Sequence, residues 1–153
     1  MVSNGKKVGE RVFPYNINLP ADAHWIHVTH EGLAEYISRY RANTSMSNLL
    51  SQAIYFCKDK TGDELWDEVG DAFIFSSERR GAISINSEID QHISDIRDRL
   101  IGTSETARDE VRWSNRFVVA AILYVFCSHL IKFRGRRIVM PEAFQVDVPA
   151  LSR

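Results

Sequence analysis

The sequence predicts a mainly α-helical fold, a bundle of about five helices around a long hydrophobic C-terminal helix, with short extended or β segments at both termini. Three observations predict it. Apolar residues recur at helical spacings through residues 29–134. Residues that favour helix caps precede the apolar stretches. The run 117–131 is apolar on nearly every side, so other helices or a second copy of the chain should surround it.

Length and composition indicate one globular domain. The chain has 153 residues, of which 44% are hydrophobic, and this is enough apolar material for one continuous core. We expect a single domain over residues 1–153, with an extended N-terminal arm (1–28), a helical core (29–134) and an extended C-terminal tail (137–153). The formal net charge of -1 gives no overall attraction to nucleic acid or anionic membranes, so electrostatic binding would need a local patch.

The N-terminus and the longest apolar run bear on localisation. Residues 1–11 are polar and lack the apolar stretch of a secretory signal. The apolar run 117–127 continues to Phe133 only with polar interruptions, whereas a membrane span needs roughly 20 apolar residues without a break. The sequence therefore predicts a cytoplasmic protein with no membrane partner.

Extended structure is predicted near the two ends. Apolar and polar residues alternate over 12–19, and the prolines in and beside this segment restrict it to an arm or an edge strand. The alternation over 26–29 predicts a very short strand, with the first helix beginning at Thr29. Two further extended pieces, 138–140 and 144–148, could pair with the N-terminal arm.

Capping residues predict where the later helices begin. Thr61 followed by Glu64 forms a capping box, in which each side chain can accept a hydrogen bond from the other residue's backbone N–H. The third helix is expected to close at 79–81, because arginines and a glycine suit a helix C-terminus. The predicted starts are Ser45 for the second helix, Thr61 for the third, Asn86 or Ser87 for the fourth, and Thr103 or Ser104 for a fifth helix that runs to Phe133.

Both cysteines lie in apolar stretches. Cys57 ends the stretch 54–57, and Cys127 ends the stretch 124–127. A free thiol in such surroundings behaves as a small buried hydrophobic group. We therefore expect two buried, unpaired cysteines, with a disulfide or a reactive thiol as the alternative.

Three histidines have a spacing that suggests a metal site. They are His24, His27 and His30. On a helix at most two of them could share a metal, and on a strand His27 would face away from the other two. A polar turn with solvent-facing or capping histidines is the preferred interpretation, and a zinc or nickel site is the alternative.

The third predicted helix carries an acidic face. The candidate ligands for Mg²⁺ on it are Glu64, Asp67, Glu68 and Asp71. Carboxylates clustered on one helix face can hold Mg²⁺ directly or through water, and the metal can then bind a phosphorylated substrate. A solvated face of an ordinary amphipathic helix is the simpler interpretation.

One short motif within this face has a counterpart in a known family. The stretch Glu68-Val69-Gly70-Asp71 resembles the second metal-binding element of the all-α nucleotide pyrophosphatases of the MazG type. The resemblance implies Mg²⁺-dependent hydrolysis of a nucleotide. Members of that family pair the element with an upstream Glu-x-x-Glu, whereas the second predicted helix here has no acid before Asp59.

Basic residues form two groups at opposite ends of the fifth predicted helix. Such groups suit contact with phosphate backbones, because binding releases condensed counterions. Cations at a helix C-terminus also interact favourably with the helix dipole, and salt bridges to the acidic face are a further alternative. The candidate phosphate-contact residues are Lys132, Arg134, Arg136 and Arg137 at the C-terminal end, and Arg108, Arg112 and Arg116 at the N-terminal end.

The motifs of common enzymes are absent from the sequence. It contains no glycine-rich phosphate-binding loop and no Gly-x-Ser-x-Gly nucleophile elbow. The preferred prediction is a non-enzymatic helical protein-interaction or assembly module without a cofactor, acting in an oligomer or a hetero-complex through its charged faces. The first alternative is nucleic-acid binding through the basic cluster 132–137. The second is a Mg²⁺-dependent enzyme similar to the all-α nucleotide pyrophosphatases.

Overall fold

The computed structural model describes residues 14–40, 44–69, 79–103 and 114–132. The mainly helical fold class is confirmed, with a small antiparallel sheet formed by the N-terminal strand and a second strand. The elements in chain order are β1 (Tyr15–Pro20), α1 (Ala23–Tyr40), α2 (Met46–Phe56), α3 (Gly62–Val69), β2 (Arg79–Ile85), α4 (Ser87–Thr103) and α5 (Asn115–Lys132). The predicted C-terminal tail, 137–153, lies outside the described residues.

Helix α5 is the centre of the fold, as its composition predicts. All four other helices and β1 pack on it, α1 most extensively. The buried residues of α5 cover every side of the helix: Phe117, Val118, Val119, Ala120, Ala121, Ile122, Leu123, Val125, Phe126, Cys127 and Leu130. By length and composition α5 could also cross a membrane. A helix that other parts of its own chain surround is expected to have the same length and apolar composition.

Helices α1 and α5 approach each other closely at Gly32. A Cβ atom added at Gly32 would lie 2.3 Å from the Cβ and 2.8 Å from the Cα of Cys127, so only glycine fits. The polar groups of this contact are satisfied. The indole N–H of Trp25 donates to the carbonyl of Ala120 over 2.9 Å, and the hydroxyl of Thr29 donates to the carbonyl of Trp25 over 2.8 Å. Helices α1 and α5 can therefore approach closely here without leaving these two buried donors unpaired.

Helix α1 begins earlier than the sequence predicts. Its first backbone hydrogen bond runs from the N–H of Ile26 to the carbonyl of Asp22, so the strand predicted at 26–29 and the helix start at Thr29 are both wrong. Trp25, like Thr29, is buried on the face toward α5. A four-residue window fits both a strand and a helical turn, and the buried indole one residue earlier makes the helix the stable choice.

The strand β1 is confirmed, but its partner was not predicted. It pairs antiparallel with β2, with Ile17 opposite Ile83. The extended pieces predicted at 138–140 and 144–148 lie outside the described residues. The expectation that 79–81 closes the third helix is wrong, because this segment begins β2. Gly81 has a φ of 81° and lies where the register shifts. A glycine with positive φ serves a β-bulge as well as a helix C-cap, so the sequence signal is ambiguous.

The predicted caps of α2, α3 and α4 are confirmed. The hydroxyl of Ser45 accepts from the N–H of Asn48 over 3.3 Å, and the carbonyl oxygen of the Asn86 side chain accepts from the N–H of Ile89 over 2.8 Å. At α3 both halves of the capping box form. The Glu64 carboxylate accepts from the N–H of Thr61 over 2.9 Å, and the Thr61 hydroxyl accepts from the N–H of Glu64 over 3.1 Å.

The predicted start of the fifth helix is wrong. Helix α4 continues through Gly102 to Thr103, and α5 begins only at Asn115. Ser114 caps it, because its hydroxyl accepts from the N–H of Phe117 over 3.1 Å. One continuous helix from Thr103 to Phe133 therefore does not form, since a capping serine satisfies a backbone N–H that a continuous helix would use internally.

The capping box of α3 predicts a pH dependence. The backbone N–H of Thr61 lowers the pKa of the exposed Glu64 carboxyl below its ordinary value of 4.5. The unfolded chain therefore binds more protons near this pH, and the contribution of Glu64 to stability is present above pH 4.5 and lost as the pH falls through the folded pKa. We expect the stability difference between the native chain and Glu64→Gln to shrink on acidification below that pH. Urea titrations at several pH values measure it, and a difference that grows would contradict the prediction.

Candidate functional site

The acidic face of α3 is engaged in contacts within the fold. Glu64 accepts from the first turn of its own helix, and Glu68 lies between two basic side chains. The Nζ of Lys60 is 2.5 Å from one carboxylate oxygen of Glu68, and the Nε2 of His129 is 3.1 Å from the other. Asp67 is exposed, and Asp71 lies outside the described residues. Glu68, one of the four candidate Mg²⁺ ligands, is thus already paired with two basic side chains.

The pair formed by Glu68 and His129 joins α3 to α5 above an aromatic ring. The rings of His129 and Phe56 form an edge-to-face contact with centroids 4.7 Å apart, and Lys60 lies over the Phe56 ring at 5.6 Å. In the part of the chain that the structure describes, no three His, Cys, Asp or Glu side chains are placed to hold a metal ion. Glu68 and His129 therefore form a contact between α3 and α5.

The three histidines lie on the exposed side of α1. His24 has its Nε2 2.9 Å from the hydroxyl of Tyr124, and His27 has its Nε2 3.6 Å from Glu31. His30 is exposed one turn further on. Within the described ranges these histidines belong to no ligand cluster. Their side chains are exposed, but the polar turn of the preferred interpretation is wrong, because all three lie in helix α1.

Two of the seven basic candidates lie in the described residues. Arg116 is half-buried, and its Nε donates to the backbone carbonyl of Asn18 over 3.1 Å, so it ties α5 to β1. Lys132 is exposed at the last residue of α5. The remaining candidates are outside the described residues: Arg108, Arg112, Arg134, Arg136 and Arg137. The nucleic-acid alternative therefore stays a prediction.

Both thiols are buried and free, as expected. Burial raises the pKa of Cys57 to about 12 and that of Cys127 far above its ordinary range. A thiol in the protonated state is a poor nucleophile, because the thiolate is the reactive form. Neither cysteine is placed for covalent chemistry.

This burial predicts protection of both thiols from disulfide exchange with dithiobis(nitrobenzoate). At pH 8 the native chain should react with a thiol reagent at least about a hundredfold more slowly than the chain unfolded in guanidinium, because labelling requires an opening of the core. Absorbance of the released thionitrobenzoate measures both rates. Fast labelling of either cysteine in the native chain would show that its side chain is accessible.

A groove between α2 and α4 is the feature that sequence reasoning missed. Its cavity has a volume of about 460 Å³. Ile54 and Ile96 are the buried aliphatic residues of its lining. The full lining consists of Ile54, Tyr55 and Lys58 from α2 and the turn after it, and His92, Asp95, Ile96 and Arg99 from α4. In the sequence, the lining residues of α4 recur at helical spacing next to the buried residues of that helix. This spacing is the one sequence signal for the groove.

Arg99 fixes one end of this groove. One of its terminal nitrogens donates to the backbone carbonyl of Cys57, the C-cap of α2, over 3.0 Å. The other terminal nitrogen is buried and has no hydrogen-bond partner among the described residues. Burial lowers the pKa of the guanidinium, and the nearby Asp59 opposes this shift. The cation thus joins two helices and is partly removed from water.

Lys58 and Asp95 complete the polar rim. The ammonium group of Lys58 lies 4.4 Å from the centre of the Tyr55 ring, a distance typical of cation–π contacts. The carboxylate of Asp95 accepts from the side-chain amide of Gln91 over 2.9 Å. The groove therefore combines an aliphatic and aromatic lining with two cations and one carboxylate.

Comparisons with known proteins give no relative for this site. No protein-family model, no curated protein and no solved structure matches the chain.

Proposed function

We propose that the chain is a non-enzymatic helical protein-interaction module that docks a segment of a partner protein in the groove between α2 and α4. The observation that carries this proposal is the groove itself. Its volume of about 460 Å³ falls within the roughly 300–1,000 Å³ of clefts that bind ligands. Protein interfaces draw much of their affinity from a few side chains that fill such pockets.

The walls of the groove support docking with little rearrangement. Ile54 and Ile96 are 3% and 5% exposed, respectively, and both belong to the hydrophobic core. Helices α2 and α4 each pack on α5, and Arg99 connects α4 to the end of α2. A preformed site loses less conformational freedom on binding than a flexible one, so more of the contact energy remains as affinity.

The make-up of the groove also suits a protein partner. Apolar residues lie on its walls, and Lys58, His92 and Asp95 provide polar groups. Protein interfaces share this arrangement of an apolar centre and a polar rim. The sequence left open whether α5 serves as an oligomer seam, but its apolar side chains are buried within its own chain. We therefore place the proposed contact on the outer face of α2 and α4.

The test is the composition of the native complex. The tagged chain is purified from its source, and the mass of the complex is measured by light scattering coupled to size exclusion. We expect a defined complex for the native chain and loss of the partner for the double variant Tyr55→Ala/Asp95→Arg. The control is Asp98→Arg, which makes the same charge change on an exposed α4 residue outside the groove. It should keep the complex.

Two outcomes would contradict the proposal. A chain that stays monomeric when purified from its source, and at high concentration, has no partner to dock. A complex that survives the double variant as well as the control uses another surface. Circular dichroism of both variants shows whether the helices are retained, so that loss of the fold is not read as loss of binding.

A further inference from the structure

We draw no further inference here: the strongest candidate, the groove between α2 and α4, belongs to the site already described, and the carboxylates of Asp59, Glu64 and Asp95 offset its two cations, so nothing in the structure shows which partner chemistry it would select.

Discussion

Replacement of Gly32 by alanine is expected to lower the free energy of unfolding by about 2 kcal/mol or more, at the upper end of what overpacking costs. The added methyl carbon would lie 2.3 Å from the Cβ of Cys127 and 2.8 Å from its Cα. Alanine favours a helix over glycine by about 1 kcal/mol, so the clash must exceed this gain. We expect it to, because two of the three nearest atoms are the Cβ and the backbone Cα of Cys127, which cannot rotate away.

Two further variants sharpen this prediction. Gly102→Ala is the matched control, because no atom lies within 4 Å of the added carbon near the exposed end of α4. It should stabilise the protein by about 0.4–1 kcal/mol. Cys127→Ala should not rescue Gly32→Ala, since it removes the sulfur and leaves the Cβ and Cα in place. Urea denaturation followed by circular dichroism measures all three, and a neutral Gly32→Ala would mean that α1 and α5 pack less closely.

Replacement of Phe126 by alanine is expected to lower the free energy of unfolding by about 3–5 kcal/mol, the range for truncating a buried aromatic side chain. Phe126 is fully buried in α5. Its ring centre lies 5.3 Å from that of Phe56 in α2 and 6.3 Å from that of Tyr36 in α1. Because one ring contacts two helices, the cavity cannot close by the movement of one neighbour.

The same measurement has a control on the surface. Ile101 is 50% exposed on α4, and Ile101→Ala should change the stability by at most about 0.5 kcal/mol. Both variants remove apolar atoms, but only Phe126 is buried. The difference between their losses of stability therefore measures the effect of burial. Similar losses for Phe126→Ala and Ile101→Ala would contradict the central position of α5.

The helices of the fold could be predicted because local signals determine them. Ser45, Asn86 and the capping box of Thr61 act within one turn of chain, and the periodic apolar residues identify the buried faces. The apolar run of α5 predicts a central helix without any knowledge of its neighbours. These features need no tertiary information.

The sheet could not be predicted in the same way. Ile83 and Ile85 alternate with polar or small residues over too few positions to distinguish a strand from a loop. Pairing with β1 joins segments far apart in the chain, and only the tertiary fold brings Ile17 opposite Ile83. Gly81 added to the ambiguity, because its positive φ suits either structure.

The groove could not be predicted for a related reason. Its lining comes from two helices, and their relative position depends on how both pack on α5. In the sequence His92, Asp95 and Arg99 resemble the solvated side of an amphipathic helix. The sequence predicted sites where charges of one sign cluster, on α3 and among the basic residues. In the structure Glu68 and Arg116 instead connect elements of the fold to each other.

The position of α5 in the order of the chain has a consequence for synthesis. A ribosome completes α1, α2, α3 and α4 before it delivers the helix against which all of them pack. Until Lys132 has left the exit tunnel, the apolar sides of those helices face water or each other. The domain therefore reaches its native state only after α5 has emerged from the ribosome, because the other four helices pack against it.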